Sequence, residues 1–314
     1  MNNMRPSSAF FLLFCLLLFF SQASFASQVD TLRLRSYLLK ITETPQARQY
    51  QHLASLNQVA DYLRSEFLKN SSRVTEQVYR VNNQEYRNII CSFGPEDKPR
   101  IIIGAHYDVC QDQPGADDNA SGVAGLLELS HLLAQEELNY RVDLVAFTLE
   151  EPPFFRTEHM GSFVHAQFLK KQQIPVLGMI SLEMIGYFSD QKHSQQYPLK
   201  PLKLVYGSKG NFITVVQKWQ AGTFARQFYR HVKQQALLPV KKFKGPAKIP
   251  GMDFSDHLNY WRMGYSAFMI TDTSFYRNPH YHLPTDTLET LNLTKMGLVL
   301  ETVYQALIHF NSNG

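Results

Sequence analysis

Apolar positions along the chain fall into two alternating patterns. Short runs dense in Ile, Val, Leu, Phe and Met occur at 87–93 (RNIICSF), 100–108 (RIIIGAHYD), 142–149 (VDLVAFTL), 176–184 (VLGMISLEM) and 265–271 (YSAFMIT). Longer stretches, at 53–69, 121–135, 160–172, 223–235 and 294–310, repeat their apolar residues every three to four positions. The first pattern is that of strands buried on both faces, the second that of amphipathic helices. Their alternation predicts an α/β fold: a single domain with a mostly parallel mixed sheet flanked by helices on both faces, in three layers. No internal repeat and no Pro/Gly/Ser-rich linker divides the chain. Residues 187–250 are polar and less regular and are expected to supply loops covering a pocket, with VKKFKGPAK (240–248) read as a solvated loop.

The beginning of the chain departs from this pattern. Arg5 precedes AFFLLFCLLLFF (9–20), twelve apolar residues in succession, and SQASFAS then offers a small-residue cleavage site near Ala26. A membrane span needs about 20 apolar residues, so this is a secretory signal pattern. The expectation is a signal peptide at 1–26, a domain at 27–314 with no stable membrane span after signal removal, and an exported, periplasmic or secreted protein. With 44% hydrophobic residues the remainder can bury a full core. A net charge of +4, one unit less without Arg5, is too small to argue for a nucleic-acid partner. Cys91 and Cys110 remain after the leader. If NIICSF and RIIIGAHYD pair as a hairpin, these cysteines lie roughly 26 Å apart, which predicts free thiols.

In a parallel sheet, ligands bind at the carboxyl ends of the strands. Several predicted strands end there in metal-type side chains. His106 and Asp108 close RIIIGAHYD, Glu150 and Glu151 follow VDLVAFTL, and Glu183 lies at the end of VLGMISLEM. The loop QPGADDNASG adds Asp117 and Asp118, and NPHYHLPTDT adds His280 and His282. Singly, each has an ordinary explanation: a core histidine, a helix N-cap, a solvated strand end. Together they concentrate negative charge that is costly unless neutralised, and imidazoles with several carboxylates form a donor set suited to zinc. Two metals need one shared carboxylate, and Asp108, two residues after His106, is placed to orient that histidine. Adjacent side chains on an extended chain point to opposite sides, so Glu150 and Glu151 can hold separate tasks, with Pro152 and Pro153 ending the strand.

These motifs, HYD, GADDNASG, EE, LEMIGY and YHLPTDT, resemble those of the two-zinc exopeptidases of metallopeptidase family twenty-eight, which includes aminopeptidase Y and bacterial leucyl aminopeptidases. The resemblance runs from about Tyr86 to Leu291. It implies a zinc-exopeptidase fold and two zinc ions, or other divalent transition metals, per chain. Their ligands would be His106, Asp118 rather than Asp117, Glu151, Glu183 and His282, with Asp108 as orienting partner and Glu150 as general base. The implied reaction is hydrolysis of a peptide at its free N-terminus through a bridging water activated by the two ions. Alternatives are a glutaminyl-cyclase-like aminoacyltransferase, a carboxypeptidase or dipeptidase of the same fold, and a non-catalytic binding ectodomain. Two features depart from the family: Glu183 stands where Asp is usual, and PPFFRTEH (152–159) is inserted after the glutamates. Arg156, Glu158 and His159 in the insert either line the substrate pocket or form a solvated loop. FSDH (254–257) also resembles a family element, without an assigned role.

Overall fold

The computed structural model describes residues 28–312, so the leader expected at 1–26 lies outside the described residues. Two helices, α1 (Thr31–Thr42) and α2 (Leu53–Leu68), precede the strands β1 (Val74–Val81), β2 (Gln84–Phe93) and β3 (Arg100–His106). Then come α3 (Gly122–Leu133), β4 (Arg141–Phe147), α4 (Gly161–Lys171), β5 (Val176–Glu183), α5 (Leu202–Tyr206) and β6 (Ile213–Lys218). The order closes with α6 (Thr223–Gln234), β7 (Val240–Gly245), α7 (His257–Arg262), β8 (Ala267–Thr271) and α8 (Leu293–Ser312). The strands form one eight-stranded sheet in the order β1-β2-β4-β3-β5-β8-β6-β7. Its centre, β4-β3-β5-β8, is parallel, while β1, β2 and the β6-β8 pairing are antiparallel.

The three layers follow from the alternation of side chains along each strand. On β3, Ile101 and Ile103 enter the larger core with Leu34 and Leu38 of α1, Leu63 of α2, Leu126 of α3 and Val303 of α8. Ile102 points the other way, against Ala166 and Leu169 of α4 and Tyr260 and Trp261 of α7. An apolar run without polar alternation therefore encodes a strand covered on both faces, and its carboxyl end is free to carry chemistry.

Four local expectations are corrected. β2 and β3 do not form a hairpin: β4 lies between them, with Leu144 opposite both Cys91 and Ile103. Cys91 and Cys110 are nevertheless free, and both are buried. The lysine-rich 240–248 segment is not simply a loop, since Val240–Gly245 pairs in parallel with β6 at the edge of the sheet. Lysines are what an exposed edge strand carries to avoid pairing with other chains, so polarity there misled. Residues 187–250 accordingly hold β6, β7 and α6 as well as loops. Finally, β4 ends at Phe147, before the prolines, and the backbone breaks at Leu149, whose φ is 59°.

Candidate metal centre

Because β4, β3 and β5 are neighbours running in one direction, their ends converge. His106 and Glu183 are the last residues of β3 and β5, and Glu150 and Glu151 lie just beyond β4. Asp118 arrives from the loop before α3 and His282 from the loop after β8. His106 Nε2 lies 3.4 Å from Asp118 Oδ1, 3.4 Å from Glu183 Oε2 and 3.9 Å from Glu150 Oε2. His282 Nε2 lies 3.1 Å from Asp118 Oδ2 and 3.3 Å from Glu151 Oε1. Asp118 thus offers one oxygen to each imidazole. Asp117 is directed elsewhere, accepting from Gly186 N at 2.9 Å and Asn278 Nδ2 at 2.7 Å. His280 is also outside, its Nδ1 paired with Thr285 Oγ1 at 2.9 Å.

Asp108 does more than the sequence suggested. Its two carboxylate oxygens accept the backbone N–H groups of Glu150 and Glu151, both at 3.1 Å. His106 Nδ1 donates to the Asp108 backbone carbonyl at 3.1 Å, while Oδ1 stands 3.6 Å away. The carboxylate therefore fixes the glutamate pair, and the peptide behind it fixes the imidazole.

Four supporting residues were not picked out from sequence. The buried Arg48 guanidinium donates to the carbonyls of Tyr107, Pro114 and Gly115, bracing the loop between His106 and Asp118. Asp286 accepts the N–H groups of Asp117 and Asp118, both at 3.0 Å. Asn119 Nδ2 and Ser255 Oγ both donate to Glu183 Oε2, at 3.3 and 2.7 Å. Glu183, longer than the usual Asp, thereby brings its carboxylate to His106 in a fixed orientation. The last three lie within quoted motifs, GADDNASG, FSDH and PTDT; Arg48 carries no such signal, its role being set by contacts across about 60 residues.

Burial raises the carboxyls of Glu150, well above its ordinary value, and of Glu151, to about 7; the charges of neighbouring carboxylates add to both shifts. Burial raises Glu183 too. Burial also opposes ionisation of Asp118, but His106 and His282 outweigh it and hold this carboxyl below its usual range. At this centre three buried atoms have no hydrogen-bond partner: Asp118 Oδ2, Glu151 Oε1 and His282 Nε2. Native interiors seldom leave such groups unpaired. Here they face one another across 3.1–3.3 Å, with ligating atoms of His106, Asp118 and Glu183 grouped alongside. The residues fit divalent transition metals: nitrogen and carboxylate donors, converging, buried and otherwise unsatisfied.

The centre opens into a cleft lined by Pro152, Phe155, Phe254, Ser274 and Tyr281. Beyond Phe254 and Ser274 lies a second pocket, walled by Tyr197, Tyr206, Phe212, Phe243 and Phe275. Its floor is the sheet itself. Glu183, Thr271, Thr214 and Lys241 are paired in register across β5, β8, β6 and β7, so one row runs from the metal centre to the sheet edge.

Residues 88–307 match the model of Peptidase family M28. The chain belongs to this family. With it comes the enzyme class expected from the sequence, a metallopeptidase. This M28 peptidase is 46% identical over 271 residues to the Uncharacterized protein YfbL of Escherichia coli (strain K12), covering 84% of the chain and 83% of that protein. It is 24% identical over 251 residues to Aminopeptidase YwaD of Bacillus subtilis (strain 168), covering 77% of the chain and 49% of YwaD. The chain thus spans about half the length of that relative. Among solved structures, LapB from Legionella pneumophila superposes with a TM-score of 0.71 at 21% identity, over 90% of this chain and 73% of LapB. Porphyromonas gingivalis glutaminyl cyclase superposes with a TM-score of 0.67 at 19% identity, over 91% of this chain and 100% of that one. At these identities the two structures show a shared fold.

Proposed function

We propose that this M28 peptidase is a two-zinc aminopeptidase, releasing N-terminal residues from peptides. His106, Asp118 and Glu183 would hold one ion and Asp118, Glu151 and His282 the other. When bound, the ions supply Lewis acidity, making water acidic near neutrality and polarising the scissile carbonyl. Glu150 is left to act as base. It takes a proton from the attacking water as the oxygen bonds to the carbonyl carbon, then gives it to the departing amine as the C–N bond breaks. Asp108 keeps Glu150 and Glu151 in place through their backbone N–H groups.

The observation that carries the choice of N-terminal over C-terminal cleavage is the lining of the cleft. It holds Asp118, Glu150, Glu151 and Glu183 and neither Lys nor Arg. A substrate's terminal carboxylate finds no lysine or arginine there among the described residues; the carboxylates, three of which would be ligands and the fourth the base, are the side chains that a free ammonium group approaches. Aminoacyl chromogenic substrates, with N-acetylated versions as controls, test this with the zinc-loaded protein. Cleavage of free but not blocked N-termini is expected, and equal cleavage of both overturns the reading. Metal analysis separates the transferase alternative: two ions per active chain support the peptidase, and full activity with one argues against it. The apolar leader motivates the further proposal that the enzyme acts after export, which fractionation of expressing cells checks.

A further inference from the structure

The insert at 152–159 is a compact, closed turn. Phe154 N donates to Glu151 O at 3.0 Å, Thr157 N to Phe154 O at 2.9 Å, and Gly161 N to Thr148 O at 2.7 Å. Phe154 anchors it, edge-on to Tyr50 at 5.2 Å and to His159 at 5.9 Å. His159 is therefore part of the turn's packing. Phe155 is left facing the cleft. The next residue, Arg156, lies behind it, in a separate surface pocket with Asp253, Leu258 and Trp261, and its Nη2 donates to Asp253 Oδ1 at 2.5 Å. Its guanidinium lies 5.2 Å from the Phe155 ring centre and 5.1 Å from that of Phe254.

Those contacts start an arc of rings. Phe155 meets Phe254 at 5.6 Å, Phe254 meets Phe275 at 5.7 Å, Phe275 meets Tyr281 at 5.6 Å, and Tyr281 stacks on His282 at 3.8 Å. The arc runs from the insert to a residue of the metal centre, and Phe254, with Ser274 and Glu183, lines both the cleft and the aromatic pocket beyond, where Phe275 adds to the wall. Phe254 lies in the loop that also brings Ser255 to Glu183, so its placement and the centre's are mechanically linked. An aromatic pocket that adjoins the metal centre at Glu183 and Phe254 favours a large apolar group.

We infer that the 152–159 insert is a substrate-binding wall in which Arg156 and Asp253 act as positioning residues, holding Phe155 and Phe254 so that the pocket beyond receives a large apolar N-terminal side chain. This rests on the aminopeptidase reading and names its substrate class. The clamp is partly exposed, so the ion pair contributes little on its own; the two cation–π contacts and the bridging of separate loops supply the rest.

The test compares phenylalanyl and alanyl para-nitroanilides with zinc-loaded wild type, Arg156→Ala, Arg156→Asp and the charge swap Arg156→Asp/Asp253→Arg. Wild type prefers the phenylalanyl substrate. Each single variant lowers the Phe-to-Ala ratio of kcat/KM by roughly five- to tenfold, mainly through KM for the phenylalanyl substrate, and the swap restores most of it. Metal content and thermal unfolding, measured on the same samples, show that the variants are folded. An unchanged ratio, an equal loss on both substrates, or a swap that restores nothing overturns the wall. A wild type that prefers the alanyl substrate also overturns it while leaving the aminopeptidase reading intact, whereas a wild type inactive on both overturns the two together.

Discussion

Glu150 and Glu151 are adjacent in sequence and buried together, yet their surroundings differ. Glu151 Oε1 stands 3.3 Å from His282 Nε2 without a hydrogen-bond partner, while the Glu150 carboxylate stands farther from an imidazole, 3.9 Å from His106 Nε2. Within the proposed mechanism, that difference suits Glu151 to the ligand role and Glu150 to proton transfer. Glu150→Gln keeps the shape and removes the base, so kcat is expected to fall at least about a hundredfold while both metals stay bound, read by kinetics beside metal analysis. Loss of metal instead would reverse the two assignments. The glutamate pair was legible in sequence because two charges after an apolar strand have few other uses. Asp108's grip on their backbone was not, because a hydrogen bond from a residue some 40 positions away leaves no local pattern.

At the scale of elements, the junction between insert and α4 depends on Gly161. A Cβ there would lie 2.0 Å from Asn88 Oδ1 and 2.8 Å from the Thr148 carbonyl oxygen, and that carbonyl already accepts the Gly161 N–H. Gly161→Ala is therefore expected to destabilise the fold by about 1–3 kcal/mol through overpacking, measured by urea unfolding. A shift within a few tenths would show that the junction can give way. Strands covered on both faces were readable from their continuous apolar runs, as β3, β4 and β5 show. The edge strands β1 and β7 were not, because polar sequences, with Glu, Gln and Arg in β1 and lysines in β7, serve an edge and a loop equally well, and the short β6 run ITVVQK was missed among its polar neighbours.

For the whole molecule, two linkages follow. His165 is fully enclosed between Phe147 and Tyr260, its Nδ1 2.6 Å from the Tyr260 hydroxyl, and burial lowers its pKa to about 4. The unfolded chain takes up this proton near the ordinary value of about 6.5. Its contribution is therefore complete above pH ~6.5 and is lost as the pH falls from there towards about 4, on the order of 3 kcal/mol in all. His165→Gln is expected to flatten unfolding stability over that window, relative to wild type, and a parallel curve would count against it. Removing metal acts wherever the donors are deprotonated enough to bind it. Buried carboxylates gathered at three strand ends repel one another without a counter-charge, so chelation is expected to lower the melting temperature and zinc to restore it; at about a thousandfold excess over Kd the gain is about 4 kcal/mol. An identical melt with and without chelator would argue against a site that needs ions to be stable.

What the sequence determined by itself was the class of fold, the positions of the central strands and the identities of the metal-type residues. Each of these is written locally, in the period of apolar residues or in the chemistry of a short motif. The family resemblance already implied that Asp118 is shared between the sites of the two histidines; only the tertiary structure decided that β4 separates β2 from β3, and that Arg48, Asp286 and Ser255 brace the centre. Those facts depend on which strands lie side by side and in which direction, a choice made by packing over long separations. The insert after the glutamates shows the difference most plainly. In sequence its charged residues stood equally for a solvated loop or a pocket wall; in space Phe155 faces the cleft and Arg156 joins it to a loop about a hundred residues away.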